Sequence, residues 1–269
     1  MLKILLPTDF SANAQKAIDY AFQLFKKAEC TFYVLHAYHD APSAPKSRTD
    51  LEKELEQLVE NMRINEQHPK HRFKSVFMVD SVVNALNVTA IDNAIDYIFM
   101  GTKGSTSLMN VFMGSNTVRA IKQVHACPII AIPLDFDNTT PKQIAFANNF
   151  RHRFIPEELS PLIKMAKLWN ATVSIIHIYS KKELDEDQQL NKEVLKNILK
   201  EIKTVFHEVQ MDVSVTSSLV RFEKEHSKMD MVALLKTKHG FLHKLLSEPV
   251  IRKIVFNTEV PFMVFPQSS

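Results

Sequence analysis

Apolar positions along this chain change period in an ordered way. Residues 3–8 form a short apolar run that predicts a buried strand. Ala14, Ala17, Ile18, Ala21, Leu24 and Phe25 then recur at helical spacing, with Ser11 placed as N-cap. The run "TFYVLHA" predicts a second strand; Leu51, Leu55, Leu58, Val59 and Met62 mark a second helix; "RFKSVFMV" at 72–79 predicts a third strand; and Val83, Leu86, Ala90 and Ile91 mark a third helix. A strand "DYIFM" at 96–100, a helix over 114–124 and a strand at 129–132 complete the series. Strict β-α alternation calls for a parallel sheet covered on both faces, because parallel neighbours need crossover helices and those crossovers are right-handed.

The pattern then repeats. "LKILLPTDFS" at 2–11 is echoed by "KQIAFANNF" at 142–150, "TFYVLHAY" at 31–38 by "TVSIIHIY" at 172–179, and "CPIIAIP" at 127–133 by "VPFMVFP" at 260–266. His36 falls over His177 and Tyr38 over Tyr179. Matches in one order at a near-constant offset mean an internal duplication with a period too long for a solenoid. The first helix of the second copy carries Leu159, Leu162, Ile163, Ala166 and Trp169 on one face. The expected fold is α/β: two tandem open parallel five-stranded sheets with helices on both faces, Rossmann-like, over residues 1–134 and 141–269. The boundary falls near "LDFDNTTPK" at 134–142, where Asp, Asn, Thr and Pro gather.

Composition narrows the function. The 269 residues are 45% hydrophobic and 23% charged with a net charge of +3, and Lys and Glu are interspersed with no basic stripe, which argues against nucleic acid. Cys30 and Cys127 have neither CxxC nor metal-ligand spacing, so a reducing compartment fits. The N-terminus lacks a signal-peptide layout and no 18-residue apolar span occurs, so a cytoplasmic location off the membrane is expected.

Glycine is scarce and concentrated: three of the four glycines, Gly101, Gly104 and Gly114, lie in "GTKGSTSLMNVFMGSNT" at 101–117. The segment follows strand "DYIFM" and leads into a helix, at the strand end where open α/β sheets bind ligands. Glycine there permits positive φ and close approach of a ligand, while Gly114, Ser115 and Asn116 open a helix whose free N–H groups and dipole suit an anion. A phosphate site is the expectation; turning the chain and capping the helix is the plainer use of the same residues. There is no GxxxxGK[ST] and no GxGxxG after the first strand.

The spacing Gly-x2-Gly-x9-Gly-Ser, with "KILLPTDFS" and "CPIIAIP", resembles the ATP-binding signature, opening strand and closing strand of the universal stress protein family, and the chain is similar to a tandem member. The resemblance implies ATP, with or without Mg²⁺, held in the first half. Gly101, Gly104, Gly114, Ser115 and Asn116 form the phosphate loop, and Asp9, with Pro7 and Thr8 beside it, lies near the ribose. A carboxylate ending strand one can also cap the following helix. The family places adenine near the second strand, where His36 ends; a structural role for His36 and His177 is the expectation. The closing strands mediate dimerisation in the family, which here implies an intramolecular pseudo-dimer or a homodimer.

The second half departs from the pattern. Aligning "TK" at 102–103 with "TK" at 237–238 places Lys236 over Gly101, His239 over Gly104, Ser247 over Gly114, Glu248 over Ser115 and Pro249 over Asn116, while Asn149 stands for Asp9. Negative charge and a missing donor disfavour phosphate there. His239 and His243, spaced i, i+4, offer two metal ligands without a third. His68 and His71 fall in a polar stretch read as solvated. Phe241, Leu242, Leu245 and Leu246 read as a helix face or loop anchor. No residue is placed to orient attacking water, so the expectation is an ATP-binding, stress-response regulatory protein with at most slow hydrolysis. The alternative is a non-catalytic interaction scaffold in which nucleotide is absent or incidental.

Overall fold

The computed structural model describes residues 1–39, 46–66, 68–102, 114–180, 183–226, 229–237 and 260–267. The chain forms two compact units that divide between Leu134 and Asp135.

In the first unit β1 (Leu2–Pro7), β2 (Cys30–Tyr38), β3 (His71–Val79), β4 (Tyr97–Gly101) and β5 (Ile129–Ile132) alternate with α1 (Ala12–Phe25), α2 (Arg48–Asn65), α3 (Val82–Asp92) and α4 (Ser115–Gln123). The strands are parallel in the order β3-β2-β1-β4-β5. Helix α1 packs on β4 and β5, α2 on β3 and β2, and α3 on β2 and α4. The order reverses direction after β3, so right-handed crossovers place α1 and α2 on one face and α3 and α4 on the other. β1 and β4 are neighbours whose connections leave in opposite directions, which defines a crevice at their carboxyl ends.

The inward residues expected of α1 are all buried, joined by Asn13 and Tyr20, and the Ser11 hydroxyl accepts from Ala14 N at 3.2 Å. Burying each large apolar side chain of this kind contributes about 1.5–3 kcal/mol. Two expectations need correction. Ile91 is 68% exposed, because α3 packs through Ala85, Leu86, Thr89 and Ala90 and the next residue turns about 100° away from that face. The His71 side chain is fully enclosed: β3 begins at His71, whose ring meets Phe32 at 5.1 Å and whose Nε2 lies 3.3 Å from Phe25 O.

The second unit contains β6 (Gln143–Asn148), α5 (Pro156–Trp169), β7 (Thr172–Tyr179), α6 (Glu186–Ile198), β8 (Lys203–Gln210), α7 (Val215–Glu225), β9 (Met231–Lys236) and β10 (Phe262–Pro266). Its strands are parallel in the order β10-β9-β6-β7-β8, the same topology as the first unit. The duplication extends to single hydrogen bonds. Asp96 Oδ2 accepts from Lys3 N and Asp230 Oδ2 accepts from Gln143 N, each at 2.9 Å, and Ile98 N and Val232 N donate to Pro128 O and Pro261 O.

Candidate functional site

The carboxyl end of β1 is a tight turn. Thr8 is buried: its N–H donates to Leu35 O at 2.8 Å and its hydroxyl accepts from Phe10 N at 2.9 Å. Exposed Asp9 accepts from Ser11 N at 3.1 Å, so it closes the turn while Ser11 caps α1. Phe10 holds φ +62°, a left-handed conformation uncommon for a bulky residue, and its ring meets His36 at 4.8 Å. His36 Nδ1 donates to Thr8 O at 2.9 Å, which fixes the tautomer and gives His36 its structural part. Beside this turn Thr8, Phe10, Ser11 and Gln15 face Glu54, Gln57, Leu58 and Asn61 of α2 across a cleft of about 270 Å³.

The carboxyl end of β4 lies across the crevice. Gly101 accepts from the Thr117 hydroxyl at 2.9 Å, Thr102 N donates to Ile132 O at 3.0 Å, and Gly114 N donates to Thr102 O at 2.6 Å. Asn13 Nδ2 reaches the Thr102 hydroxyl at 3.4 Å. Asn13, Thr102 and Thr117, all buried, therefore join strand end, α1 and α4 into one frame. The sequence reading missed these three; the signal available was a polar Asn13 at an inward position of α1.

The glycines act differently from expectation. No described glycine has positive φ; Gly114 is at φ −64°, ψ 158°, which any residue adopts. Gly101 is required by close approach instead, since a β-carbon there would come within 2.7 Å of Asn13 Cγ and Asn13 O. Gly104 lies outside the described residues.

Gly114 is the N-cap of α4, ahead of Ser115 and Asn116, both exposed. Helices α1, α2, α3, α6 and α7 are each capped by a side-chain oxygen, from Ser11, Ser47, Ser81, Asp185 and Ser214. Helix α4 has no such oxygen at its cap, so its first-turn amides keep their donors for another acceptor. An anion there meets the positive end of the helix, and the frame of Asn13, Thr102 and Thr117 holds that end against β4. Cys30 and Cys127 are buried thiols whose pKa values burial pushes up to about 12, so neither is a nucleophile at neutral pH. Among the described residues, no group of three or more His, Cys, Asp or Glu is placed to hold a metal ion.

The second unit repeats the turn with altered chemistry. Asn148 Oδ1 accepts from Phe150 N at 3.2 Å, Asn149 Oδ1 from Arg151 N at 3.1 Å, and Phe150, at φ +54°, meets His177 at 4.6 Å. Counted from the shared Asp96 and Asp230 anchors, Leu235 stands over Gly101 and Lys236 over Thr102, which corrects the sequence alignment by one position. Helix α1 starts just past Phe10, whereas α5 starts at Pro156, well beyond Phe150, so the clamp that excludes a side chain at Gly101 is absent at buried Leu235. His239, His243, Ser247, Glu248, Pro249 and the apolar cluster at 241–246 lie outside the described residues.

Residues 1–133 match the model of the universal stress protein family, and the chain belongs to that family through this first unit. No curated protein matches the chain in sequence. Among solved structures, a universal stress protein from Archaeoglobus fulgidus DSM 4304 is 16% identical with a TM-score of 0.73, over 99% of this chain and 97% of that one. A putative universal stress protein from Pseudomonas aeruginosa UCBPP-PA14 is 13% identical with a TM-score of 0.63, over 98% and 92%. The cytoplasmic domain of a prokaryotic cation chloride cotransporter is 8% identical with a TM-score of 0.58, over 98% and 94%. These identities establish a shared fold, and one of the three proteins is part of a transporter, so function must be argued from the site. No helix among the described residues is long and apolar enough to cross a membrane.

Proposed function

We propose that the first unit binds ATP in the crevice at the carboxyl ends of β1 and β4, and that the chain is a nucleotide-binding regulatory protein of the stress-response type with a single competent site. The observation that carries this reading is the N-terminus of α4. It follows the strand beside the topological switch point, has glycine where five other helices have a capping oxygen, and presents Ser115 and Asn116. In this reading the α4 amides and the Ser115 hydroxyl hold the phosphates, with Gly101, Gly104 and Gly114 shaping their cradle. Asp9, beside Pro7 and Thr8, accepts from the ribose, or holds Mg²⁺ through water. ATP supplies a charged ligand whose presence reports cellular energy; no residue of the turn is assigned to hydrolysis. The closing strands β5 and β10 each end their unit's strand order, and a strand edge of this kind suits pairing with a second copy of the chain, in a cytoplasmic protein.

The test is Gly114→Asp. Aspartate adopts the observed φ and ψ and is a favoured N-cap, so the fold is retained while its carboxylate occupies the amides that phosphate needs. Calorimetry with Mg-ATP should give a binding isotherm for the parent chain and none for the variant. Unchanged affinity would refute the site. No binding by the parent would turn the reading to the interaction scaffold.

A further inference from the structure

We propose that the cleft between the β1 turn and α2 in the first unit is a second ligand site, for a neutral polyhydroxylated ring such as a monosaccharide or a cyclitol. The helices on this face make the space. Helix α1 packs chiefly on β4 and β5 and α2 on β3 and β2, and a gap of about 270 Å³ remains between them beside the turn. That is just under the about 300–1,000 Å³ of drug-sized sites, room for a single ring. The gap lies on the sheet face opposite α4, so the inference goes beyond the nucleotide crevice and does not rest on it. Leu55, Val59 and Met62 are the buried stripe of α2, and the adjoining stripe of Glu54, Gln57, Leu58 and Asn61 lines the gap. A stripe turned toward a neighbouring helix is ordinarily apolar; here Leu58 alone is.

The second unit shows the corresponding place closed. There the helix that follows the second strand, α6, donates directly to the turn: Gln188 Nε2 to Asn149 O at 2.7 Å and Asn191 Nδ2 to Phe150 O at 2.8 Å. In the first unit no hydrogen bond among the described residues joins α2 to the β1 turn, and the Gln57 and Asn61 amides have no protein partner there. The duplicate spends its two helix amides on the turn, whereas α2 holds two amides facing the turn across open space.

The lining selects the class of ligand. It contains no cation, and its one charged group, Glu54, has Oε2 taken by Lys46 Nζ at 2.6 Å, so neither an anion nor a free cation finds a match. The Thr8 and Ser11 hydroxyls accept from Phe10 N and Ala14 N and keep a proton to donate. Gln15 Nε2 is held by Asp19, which leaves Gln15 Oε1 to accept, while Gln57 and Asn61 offer both roles. A hydroxyl donates and accepts at once, so a ring carrying several of them satisfies this mixed set. Phe10 and Leu58 supply apolar contact for its C–H groups, and a wholly aromatic ligand would leave the rest of the lining unpaired.

The experiment titrates the ¹⁵N-labelled full chain separately with glucose, myo-inositol and adenosine while the Gln57 and Asn61 side-chain amides are followed by NMR. Saturable shifts of both amides with glucose or myo-inositol are expected, and the same shifts in the Gly114→Asp chain, which separates this site from the proposed phosphate site. Asn61→Ala, read at the Gln57 amide, should weaken half-saturation about three- to tenfold. Gln57→Ala, read at the Asn61 amide, is the second variant, with circular dichroism checking that each is folded. Saturation by adenosine alone would overturn the ligand class. No saturable shift with either polyol, shifts lost in Gly114→Asp, or unchanged half-saturation in both alanine variants would overturn the site.

Discussion

Gly101 approaches Asn13 so closely that a β-carbon on Gly101 would stand 2.7 Å from the Asn13 carbonyl oxygen. The contact is with backbone at the first turn of α1, which cannot yield as the end of a flexible side chain can. Gly101→Ala should therefore cost about 1–3 kcal/mol, the range for overpacking. Thermal unfolding by circular dichroism reads this directly, and an unchanged melting temperature would mean that α1 is not held against β4 as described.

The glycine cap of α4 predicts an exchange of stability against binding. Gly114→Ser supplies the missing oxygen to a first-turn amide, and should raise stability by a few tenths of a kcal/mol while weakening Mg-ATP binding. Denaturant unfolding and calorimetry on the same preparation check both signs. Equal or tighter ATP binding by the serine variant would remove the cap from the phosphate site.

Phe150 reverses an ordinary preference. The fully buried ring makes either truncation costly, yet the backbone is at φ +54°, where glycine is unstrained and alanine is not. Phe150→Gly should be more stable than Phe150→Ala by about 1 kcal/mol. The opposite order in urea unfolding would show that the turn relaxes once the ring is gone.

Acid should destabilise the fold before carboxylates titrate. Desolvation holds His71, His177 and His207 below the ordinary value of 6.5; the backbone bond to Phe25 opposes this at His71, Glu208 opposes it at His177, and His226 adds to it at His207. The unfolded chain then binds protons that the folded chain refuses, so stability is present above 6.5 and is lost as pH falls through that value. The lowered carboxylates Asp50, Asp80 and Glu201 act only below their ordinary 3.8 to 4.5, outside this window. Melting temperatures between about pH 7.5 and pH 5.5 should fall with pH; a flat profile would contradict the enclosure of His71 and His177.

Most of the fold was legible because apolar period and turn residues agree along the chain. Ser11 and the α1 face follow from local pattern, and the paired His36 and His177 follow from the repeat. What the pattern could not show was packing between distant elements. Gly101 reads as a ligand glycine in sequence, and the pattern could not show the further need that arises from Asn13, far away along the chain. The "TK" match misled by one position because side-chain identity is a weaker register marker than the Asp96 and Asp230 hydrogen bonds to the first strand of each unit. His71 looked solvated among polar neighbours, yet the β3 pairing turns it inward. Of the site itself, the opening of a helix at Gly114, Ser115 and Asn116 was legible, although the cap is Gly114 and not Ser115; the frame of Asn13, Thr102 and Thr117 was not, since each is an ordinary polar residue until the strand ends meet.

The most direct measurement is to denature freshly purified protein and count the nucleotide released, for the parent chain and for Gly114→Asp. A single equivalent of ATP or ADP per chain is expected from the parent and none from the variant. Two equivalents per chain, or nucleotide retained by Gly114→Asp, would contradict a lone site at the start of α4.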